Sequence, residues 1–221
     1  MEWTAVPVHM IDFEGCLRSG IVEYGVVTLV NGRVESSANR LCRSVGPVWT
    51  EDTLVHGLTK KDLADRAPFS DEWRFFSELR TTGVLAAHFA GTEKRLLRNV
   101  WPYPRTSPDF VSGSGAVTDW GPWIDTGRMV IGFRPELPSA GLGEVVKSLG
   151  LSSELDELAG QHCPEGRDHF HCAPYDALAA ALVLRLLAYD RSGNPLTLQR
   201  LMEESTADSE KRIALQQRRL F

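Results

Sequence analysis

The feature that most constrains the fold is Asn31-Gly32, which separates two long segments of strand-forming residues. Residues 21–30 before it are rich in β-branched side chains, and residues 33–43 after it are expected to form the returning strand. An Asn-Gly pair between two such segments is typical of a two-residue β-hairpin. The apolar segment 8–15, followed by a short turn, predicts one more strand upstream. The chain is therefore expected to begin with a three-stranded antiparallel meander.

Two acids, Asp12 and Glu14, lie near the end of the first of these strands. Because side chains alternate along a strand, the two carboxylates share one face and Ile11 and Phe13 share the other. Two carboxylates so close together repel each other unless a cation joins them, and hard oxygen ligands suit Mg²⁺ or Mn²⁺. For this pair alone, a solvated strand end explains the pattern equally well.

The middle of the chain alternates between strand and helix. Residues 84–88 predict a buried strand, and residues 91–101 predict an amphipathic helix after it. A strand and a helix that follow a meander indicate an α/β fold with a mixed sheet. Ser70 is the expected N-cap of an earlier helix, residues 102–122 are expected to form a long loop, and Pro174 is expected in the first turn of a long helix. We expect one domain over residues 1–190 and a helical extension over residues 191–221.

Composition narrows the class of protein. Apolar residues make up 43% of the chain and charged residues 24%, which is typical of a globular protein. The net charge of −5 argues against a broad basic surface for nucleic acid. It does not argue against an enzyme that acts on nucleic acid, since carboxylates that bind metals count as bare charge. Neither a secretory signal nor a long apolar segment is evident, so we expect a cytoplasmic protein. The four cysteines form no C-x-x-C pair, so we expect reduced thiols.

Two further acids lie just after the predicted starts of two helices. Glu93 falls in the first turn of the helix after the fourth strand, and Asp176 falls in the first turn of the long helix. Because Pro174 starts that helix, His171 lies in the loop before it and can fold back towards Asp176. An acid in a first helical turn also interacts favourably with the helix dipole, which alone would explain either carboxylate.

Together these motifs resemble the DEDD superfamily of 3′–5′ exonucleases, in the branch that uses a histidine (DEDDh). The similarity covers most of the chain, and the pattern is most similar to bacterial exonuclease X and to the proofreading subunit of DNA polymerase III. Asp12 and Glu14 match the first motif, and residues 87–97 match the second. His171 and Asp176 match the third motif, H-x-x-x-x-D. The sequence His56-Gly57-Leu58-Thr59 resembles the H-G-I-T turn of the family.

The resemblance implies a ribonuclease H-like mixed sheet and a two-metal hydrolase. Two Mg²⁺ or Mn²⁺ ions are then expected to bind to four acids, Asp12, Glu14, Glu93 and Asp176. His171 is expected to act as the general base. The product is a nucleoside 5′-monophosphate released from a 3′ end, most often of single-stranded DNA, in DNA replication or repair. Two alternatives stay open: an exoribonuclease that trims RNA, and a catalytically weak module that binds nucleic acid or a clamp.

The second motif departs from the family pattern. Glu93 replaces the usual aspartate, and Phe89 replaces the usual asparagine. One additional methylene moves the carboxylate by roughly 1.5 Å, the length of a C–C bond.

The expected contacts with the terminal nucleotides come from residues beside the motifs. They are Phe13, Gly15, Cys16, Leu17, His56, His88 and Phe89. Phe13 is equally well explained as a core residue. A zinc site is an alternative for the histidines and cysteines near the third motif, although their spacing fits no familiar zinc pattern. These residues are His162, Cys163, His169, His171 and Cys172.

The last five residues, Gln217-Arg218-Arg219-Leu220-Phe221, resemble the Q-x-x-L-F peptides by which bacterial replication proteins bind the sliding clamp. A terminal glutamine followed by a two-residue apolar anchor suits insertion into a surface pocket. The frayed end of an amphipathic helix is the alternative.

Overall fold

A five-stranded mixed sheet forms the centre of the protein. We describe it from a computed structural model, which covers residues 1–208 and Arg212. The strands of this sheet are β1 (Val8–Cys16), β2 (Gly20–Val30), β3 (Arg33–Leu41), β4 (Val84–Ala87) and β7 (Trp123–Asp125), in the spatial order β3-β2-β1-β4-β7. Strands β1, β2 and β3 are antiparallel, whereas β4 pairs in parallel with both β1 and β7. The predicted α/β class and the predicted meander are confirmed.

The hairpin turn adopts the conformation that its sequence predicts. Asn31 and Gly32 have φ values of 52° and 73°, and both residue types tolerate this left-handed region. The returning strand ends at Leu41, two residues earlier than expected. In the separate pairing of β1 with β2, Glu14 lies opposite Glu23.

Nine helices occur in the part of the chain that the structure describes. They are α1 (Thr50–His56), α2 (Lys60–Leu63), α3 (Trp73–Thr82), α4 (Gly91–Val100), α5 (Thr126–Phe133), α6 (Leu142–Ser148), α7 (Ser152–His162), α8 (Ala173–Leu187) and α9 (Leu198–Ser205). Helix α8 is almost wholly buried and packs across β1 and β2. Within the described residues no helix has the length and apolar character that crossing a membrane requires.

Alternation along β1 separates two apolar clusters. Val8 and Met10 pack into the cluster that includes α8, while Ile11 and Phe13 pack into a second cluster around Phe76 on the opposite face. Asp12 and Glu14 continue the face of Val8 and Met10, so they point towards the N-terminal end of α8. The position of the two acids thus follows from the period of the strand.

The local structure differs from the predicted elements in three places. Ser70 does not cap α3, because it lies inside a short 3-10 helix, Phe69–Glu72, that leads into the helix. Helix α7 has no counterpart among the predicted elements. The loop of residues 102–122 contains a small two-stranded sheet, β5 (Ser107–Pro108) and β6 (Ala116–Val117), and Trp120 within the loop is fully buried.

The start of the predicted C-terminal extension packs against the domain. Helix α9 contacts β7 and α5, and Ser205 Oγ accepts a hydrogen bond from the backbone N–H of Asp125 at 2.8 Å. The division at residue 190 stays a prediction.

Candidate active site

The carboxyl end of β1 carries the first two acids into a recess. A register shift follows Glu14, where Gly15 adopts a φ of 118°. A side chain at Gly15 would place its Cβ 2.2 Å from the carbonyl oxygen of Gly20. Glycine is therefore required at the point where the strand leaves the two carboxylates.

The N-terminal end of α8 supplies Asp176 and His171. Asp176 lies in the first turn, and its Oδ2 accepts a hydrogen bond from the backbone N–H of His171 at 3.1 Å. His171 is exposed and has a φ of 66°, an unfavourable conformation for a residue with a side chain. One ligand atom each of Glu14, His171 and Asp176 lies within 4.8 Å of the others. The structure thus brings the first and third motifs together.

Glu93 enters the same recess from α4. It is only 5% exposed, and its Oε2 is buried with no hydrogen-bond partner among the described residues. Asp125, at the end of β7, fixes the turn before α4 by accepting hydrogen bonds at 3.1 Å from the backbone N–H groups of Phe89 and Ala90. Asp125 was not among the site residues predicted from the sequence.

Mutual repulsion and desolvation dominate the electrostatics of the recess. Burial, and then the charges of Asp176 and Glu93, hold the pKa of Asp12 well above its usual range. Burial and the charge of Asp176 raise the pKa of Glu14 to about 8. Burial raises the pKa of Glu93 to about 8 and that of Asp176 to about 7. Near neutral pH the surroundings therefore favour the protonated forms of Asp12, Glu14 and Glu93, whereas a bound cation would favour the ionised forms.

The donor set fits a divalent cation with hard oxygen ligands. The buried Oε2 of Glu93 and Oδ1 of Asp176 have no hydrogen-bond partner in the described part of the chain. Buried carboxylate oxygens without partners are costly, and Mg²⁺ and Mn²⁺ prefer such oxygens. A single imidazole beside several carboxylates is a poor match for structural zinc.

A cavity of about 700 Å³ opens directly beside the acidic recess. Of the predicted substrate contacts, Gly15, Cys16, Leu17 and Phe89 line it. Phe89 is 38% exposed with a φ of 57°, and its ring packs on Gly127, where a Cβ would approach the ring to 2.8 Å.

Three arginines that the sequence analysis missed also line this cavity: Arg18, Arg95 and Arg128. Arg18 stacks on Trp49 and pairs with Asp52 at 2.7 Å, whereas no ion pair within the described residues engages Arg95 or Arg128. Arg95 lies three residues after Thr92 on the same helix, so helical spacing from the second motif could have identified it.

The other predicted contacts have different surroundings. Phe13 packs edge-to-face on Phe69 in the core, which matches its structural alternative. The ring nitrogens of His88 lie 2.9 Å from Thr126 Oγ1 and 2.7 Å from the carbonyl oxygen of Ala140. His56 is buried, and its Nδ1 accepts a hydrogen bond from Leu58 N–H. A contact of these three residues with substrate stays a prediction.

The remaining histidines and cysteines of the third-motif region make separate contacts. His162 Nδ1 lies 3.2 Å from Ser37 Oγ, and His169 Nδ1 lies 3.4 Å from Cys172 Sγ. In the described residues, the ligand group that includes His171 is completed by carboxylates and not by thiols. The predicted clamp-binding peptide, residues 217–221, lies outside the described residues.

Comparison with known proteins identifies the fold. No protein-family model matches the chain, and no curated protein matches it significantly. Exonuclease X in complex with 5′-overhanging duplex DNA is similar, with a TM-score of 0.59 and 20% identity over 88% of this chain and 99% of that chain. The nuclease domain of 3′hExo, a DEDDh family member bound to rAMP, gives a TM-score of 0.56 and 16% identity over 82% of this chain and 90% of that chain.

An exonuclease I from Methylocaldum szegediense gives a TM-score of 0.59 and 16% identity, covering 90% of this chain and 42% of that chain. The chain has the ribonuclease H-like fold of the DEDDh 3′–5′ exonucleases. The fold that the motifs predicted is therefore confirmed.

Proposed function

We propose that this protein is a divalent-metal-dependent 3′–5′ exonuclease that acts on DNA ends in the cytoplasm. The convergence of Asp12, Glu14, Glu93, Asp176 and His171 in one recess carries the proposal. The fold adds support, because it is shared with a nuclease domain of the DEDDh family.

The four carboxylates are proposed to hold two Mg²⁺ or Mn²⁺ ions, which supply Lewis-acid activation of water and stabilise the leaving oxygen. Asp12 and Glu14 present their oxygens from the strand end, and Glu93 and Asp176 present theirs from two helix N-termini. Because each acid comes from a rigid element, the set is organised before substrate binds.

His171 is proposed to act as the general base. Its imidazole lies at the open side of the recess beside Glu14 and Asp176. It takes a proton from the attacking water, whose oxygen forms a bond to phosphorus while the bond from phosphorus to the 3′ oxygen breaks. The 3′ oxygen takes a proton from solvent water as it leaves, so the products are a nucleoside 5′-monophosphate and a shortened strand with a 3′ hydroxyl.

The cavity beside the recess is proposed to hold the 3′ end of the strand. Phe89 offers a stacking surface, and base stacking on an aromatic ring is worth about 1–3 kcal/mol without reading sequence. Arg95 and Arg128 supply positive charge for phosphates. An acidic protein can therefore bind nucleic acid locally, because its positive charges line the cavity.

A time course on 5′-labelled single-stranded DNA and RNA, with Mg²⁺ or Mn²⁺, tests the proposal beside Asp12→Asn. We expect a ladder on DNA that shortens from the 3′ end and disappears in the variant. A ladder on RNA alone would support an RNA-trimming enzyme. Binding without shortening of the strand would indicate a module that binds but does not cleave.

A sliding clamp is proposed as an additional partner, through residues 217–221. The resemblance of these residues to clamp-binding peptides is the basis for this proposal. Removal of Leu220 and Phe221 is expected to abolish clamp binding in a pull-down assay while exonuclease activity on free DNA is retained. Equal clamp binding by the shortened chain would exclude it.

A further inference from the structure

One buried ion pair connects β2, the end of α1 and the segment that leads into α8. Arg167 lies in the segment 163–172 that carries His171 between α7 and α8. Its Nε and Nη2 donate to the two carboxylate oxygens of Glu23 on β2, at 2.8 Å and 2.5 Å. Its Nη1 donates to the carbonyl oxygen of His56 at the end of α1, at 2.9 Å.

The partner carboxylate also holds the start of α8. Glu23 Oε2 accepts a hydrogen bond from the backbone N–H of Ala173, the first residue of the helix, at 2.9 Å. The side chains of Glu23 and Arg167 are only 3% and 14% exposed. Both carboxylate oxygens of Glu23 are therefore engaged, in surroundings that are nearly closed to solvent.

The position of this pair relates it directly to the proposed chemistry. Glu23 lies opposite Glu14 in the β1–β2 register. Ala173 lies two residues after His171 and three before Asp176. The pair thus connects the start of the helix that carries Asp176 to β2, the strand paired with the one that carries Asp12 and Glu14.

From this geometry we infer that Arg167, through Glu23, is a positioning residue for His171 and Asp176 in the proposed hydrolysis. The inference rests on the proposed function, but it concerns a contact that none of the three motifs includes. The planar guanidinium is essential to the role, because its fork binds both carboxylate oxygens while the third nitrogen reaches a backbone carbonyl. A lysine ammonium at the same position cannot make all three contacts at once.

Positioning can be separated from simple stabilisation by comparing Arg167→Gln, Arg167→Lys and the double variant Glu23→Gln/Arg167→Gln. Removing one partner of a buried ion pair leaves an uncompensated charge, so Arg167→Gln alone also lowers stability. The double variant removes both charges and should recover much of the melting temperature. If the pair only stabilises the fold, kcat recovers with it; if the pair positions the recess, kcat stays low.

We expect Arg167→Gln and the double variant to lower kcat by about 10- to 100-fold, the usual effect of removing a residue that orients metal ligands. KM for the oligonucleotide should be unchanged, because the cavity lined by Arg95 and Arg128 is intact. Arg167→Lys, which keeps the charge, should fold normally and lower kcat by about tenfold. The matched control is Arg185→Gln, which removes an ion pair with Glu154 from the other end of α8 and should leave kcat unchanged.

Calorimetric titration with Mn²⁺ gives a readout that does not depend on hydrolysis. We expect Mn²⁺ to bind Arg167→Gln about 10- to 100-fold more weakly than the wild-type protein. If the wild-type protein binds Mn²⁺ but cleaves neither DNA nor RNA, the proposed function fails while this comparison still tests the positioning role. If Arg167→Lys and the double variant keep wild-type kcat and Mn²⁺ affinity, the positioning role is overturned.

Discussion

At the scale of the residue, the central observation is that four carboxylates lie close together and that no ion pair within the described residues engages them. Desolvation raises the pKa of each of them, and neighbouring carboxylates raise it further, which means that their ionised forms destabilise the folded protein. Such a cost is common where side chains are arranged for chemistry and not for stability.

Asp12→Asn removes one of these charges while keeping the shape of the side chain. We expect the variant to lose exonuclease activity and, in EDTA, to gain about 1 kcal/mol in the free energy of unfolding, since one repulsive charge is gone. Thermal and urea unfolding measure the second effect. Asp65→Asn, at an exposed position outside the recess, is the control and should change neither property. A destabilised Asp12→Asn would contradict the assigned repulsion.

Substitution of Glu93 tests whether the recess requires the glutamate side chain, which is one methylene longer than aspartate. Its carboxylate reaches the recess from the first turn of α4, and Glu93→Asp would withdraw it by roughly 1.5 Å. Because metal geometry tolerates little displacement, we expect Glu93→Asp to lower kcat by about tenfold or more, and Glu93→Gln to lower it further. Steady-state kinetics with Mg²⁺ measure both. Wild-type or higher activity in Glu93→Asp would show that α4 does not fix the carboxylate.

At the scale of the element, the start of α8 packs so closely on β2 that no side chain fits at Gly25. A Cβ on Gly25 would lie 2.2 Å from the carbonyl oxygen of Ala173. Gly25→Ala should therefore push the start of α8, with His171 and Asp176, away from β1 and lower kcat by about tenfold or more. Gly160→Ala on α7 is the matched control, because nothing lies within 4 Å of the added methyl group. That variant should keep full activity and gain up to about 1 kcal/mol of stability. Equal activity of the two variants would exclude the close approach as a constraint.

The cavity beside the recess predicts a different kinetic effect. Arg95→Gln should raise KM for single-stranded DNA with kcat unchanged, and should reduce the slope of log affinity against log salt by about 1 for each phosphate that the arginine neutralises. Fluorescence anisotropy at several salt concentrations measures the slope. Arg98→Gln, on the same helix but outside the cavity, is the control. An unchanged KM and salt slope in Arg95→Gln would remove Arg95 from the binding surface.

Some of the elements and contacts could be predicted from the sequence, and others could not. The hairpin at Asn31-Gly32 and the acids at the end of β1 follow from local turn chemistry and from the period of a strand. Helix α7 and the 3-10 turn at Ser70 were not predicted, because their short segments lack strong caps and a clear apolar period. The pairing of Glu23 with Arg167 joins residues far apart in the chain, and no local pattern predicts such a contact.

At the scale of the whole molecule, the raised pKa values connect stability to pH and to metal. A carboxyl group whose pKa is higher in the folded than in the unfolded state keeps its proton up to a higher pH in the folded protein. The free energy of unfolding of the metal-free protein should therefore fall as pH rises from about 5 to about 8, where Glu14 and Glu93 lose their protons. Mg²⁺ should reverse this fall at pH 8, because it binds the ionised carboxylates of the folded state.

Melting temperatures between about pH 5 and about pH 8, in EDTA and in Mg²⁺, measure this effect. The slope in EDTA should be smaller in Asp12→Asn than in the wild-type protein. A melting temperature that stays constant or rises over this range in EDTA would contradict the raised pKa values.

The order of strands and helices could be predicted from motif order, whereas the cavity could not. The motifs specify which strand ends and helix starts meet, and the structure bears out that arrangement for the elements that carry Asp12, Glu93 and Asp176. The cavity depends on Arg18 and Arg128, which come from a turn and from α5 and have no fixed spacing from any motif.

The most direct test of the proposed metal site is a crystal soaked in Mn²⁺, with anomalous scattering used to locate the ions. We expect manganese bound in the recess, with carboxylate oxygens of Asp12, Glu14, Glu93 and Asp176 as ligands at about 2.0–2.3 Å and His171 facing the same site. A recess without manganese, or manganese bound elsewhere while the Glu93 carboxylate turns away from Asp12, would contradict the proposed hydrolysis.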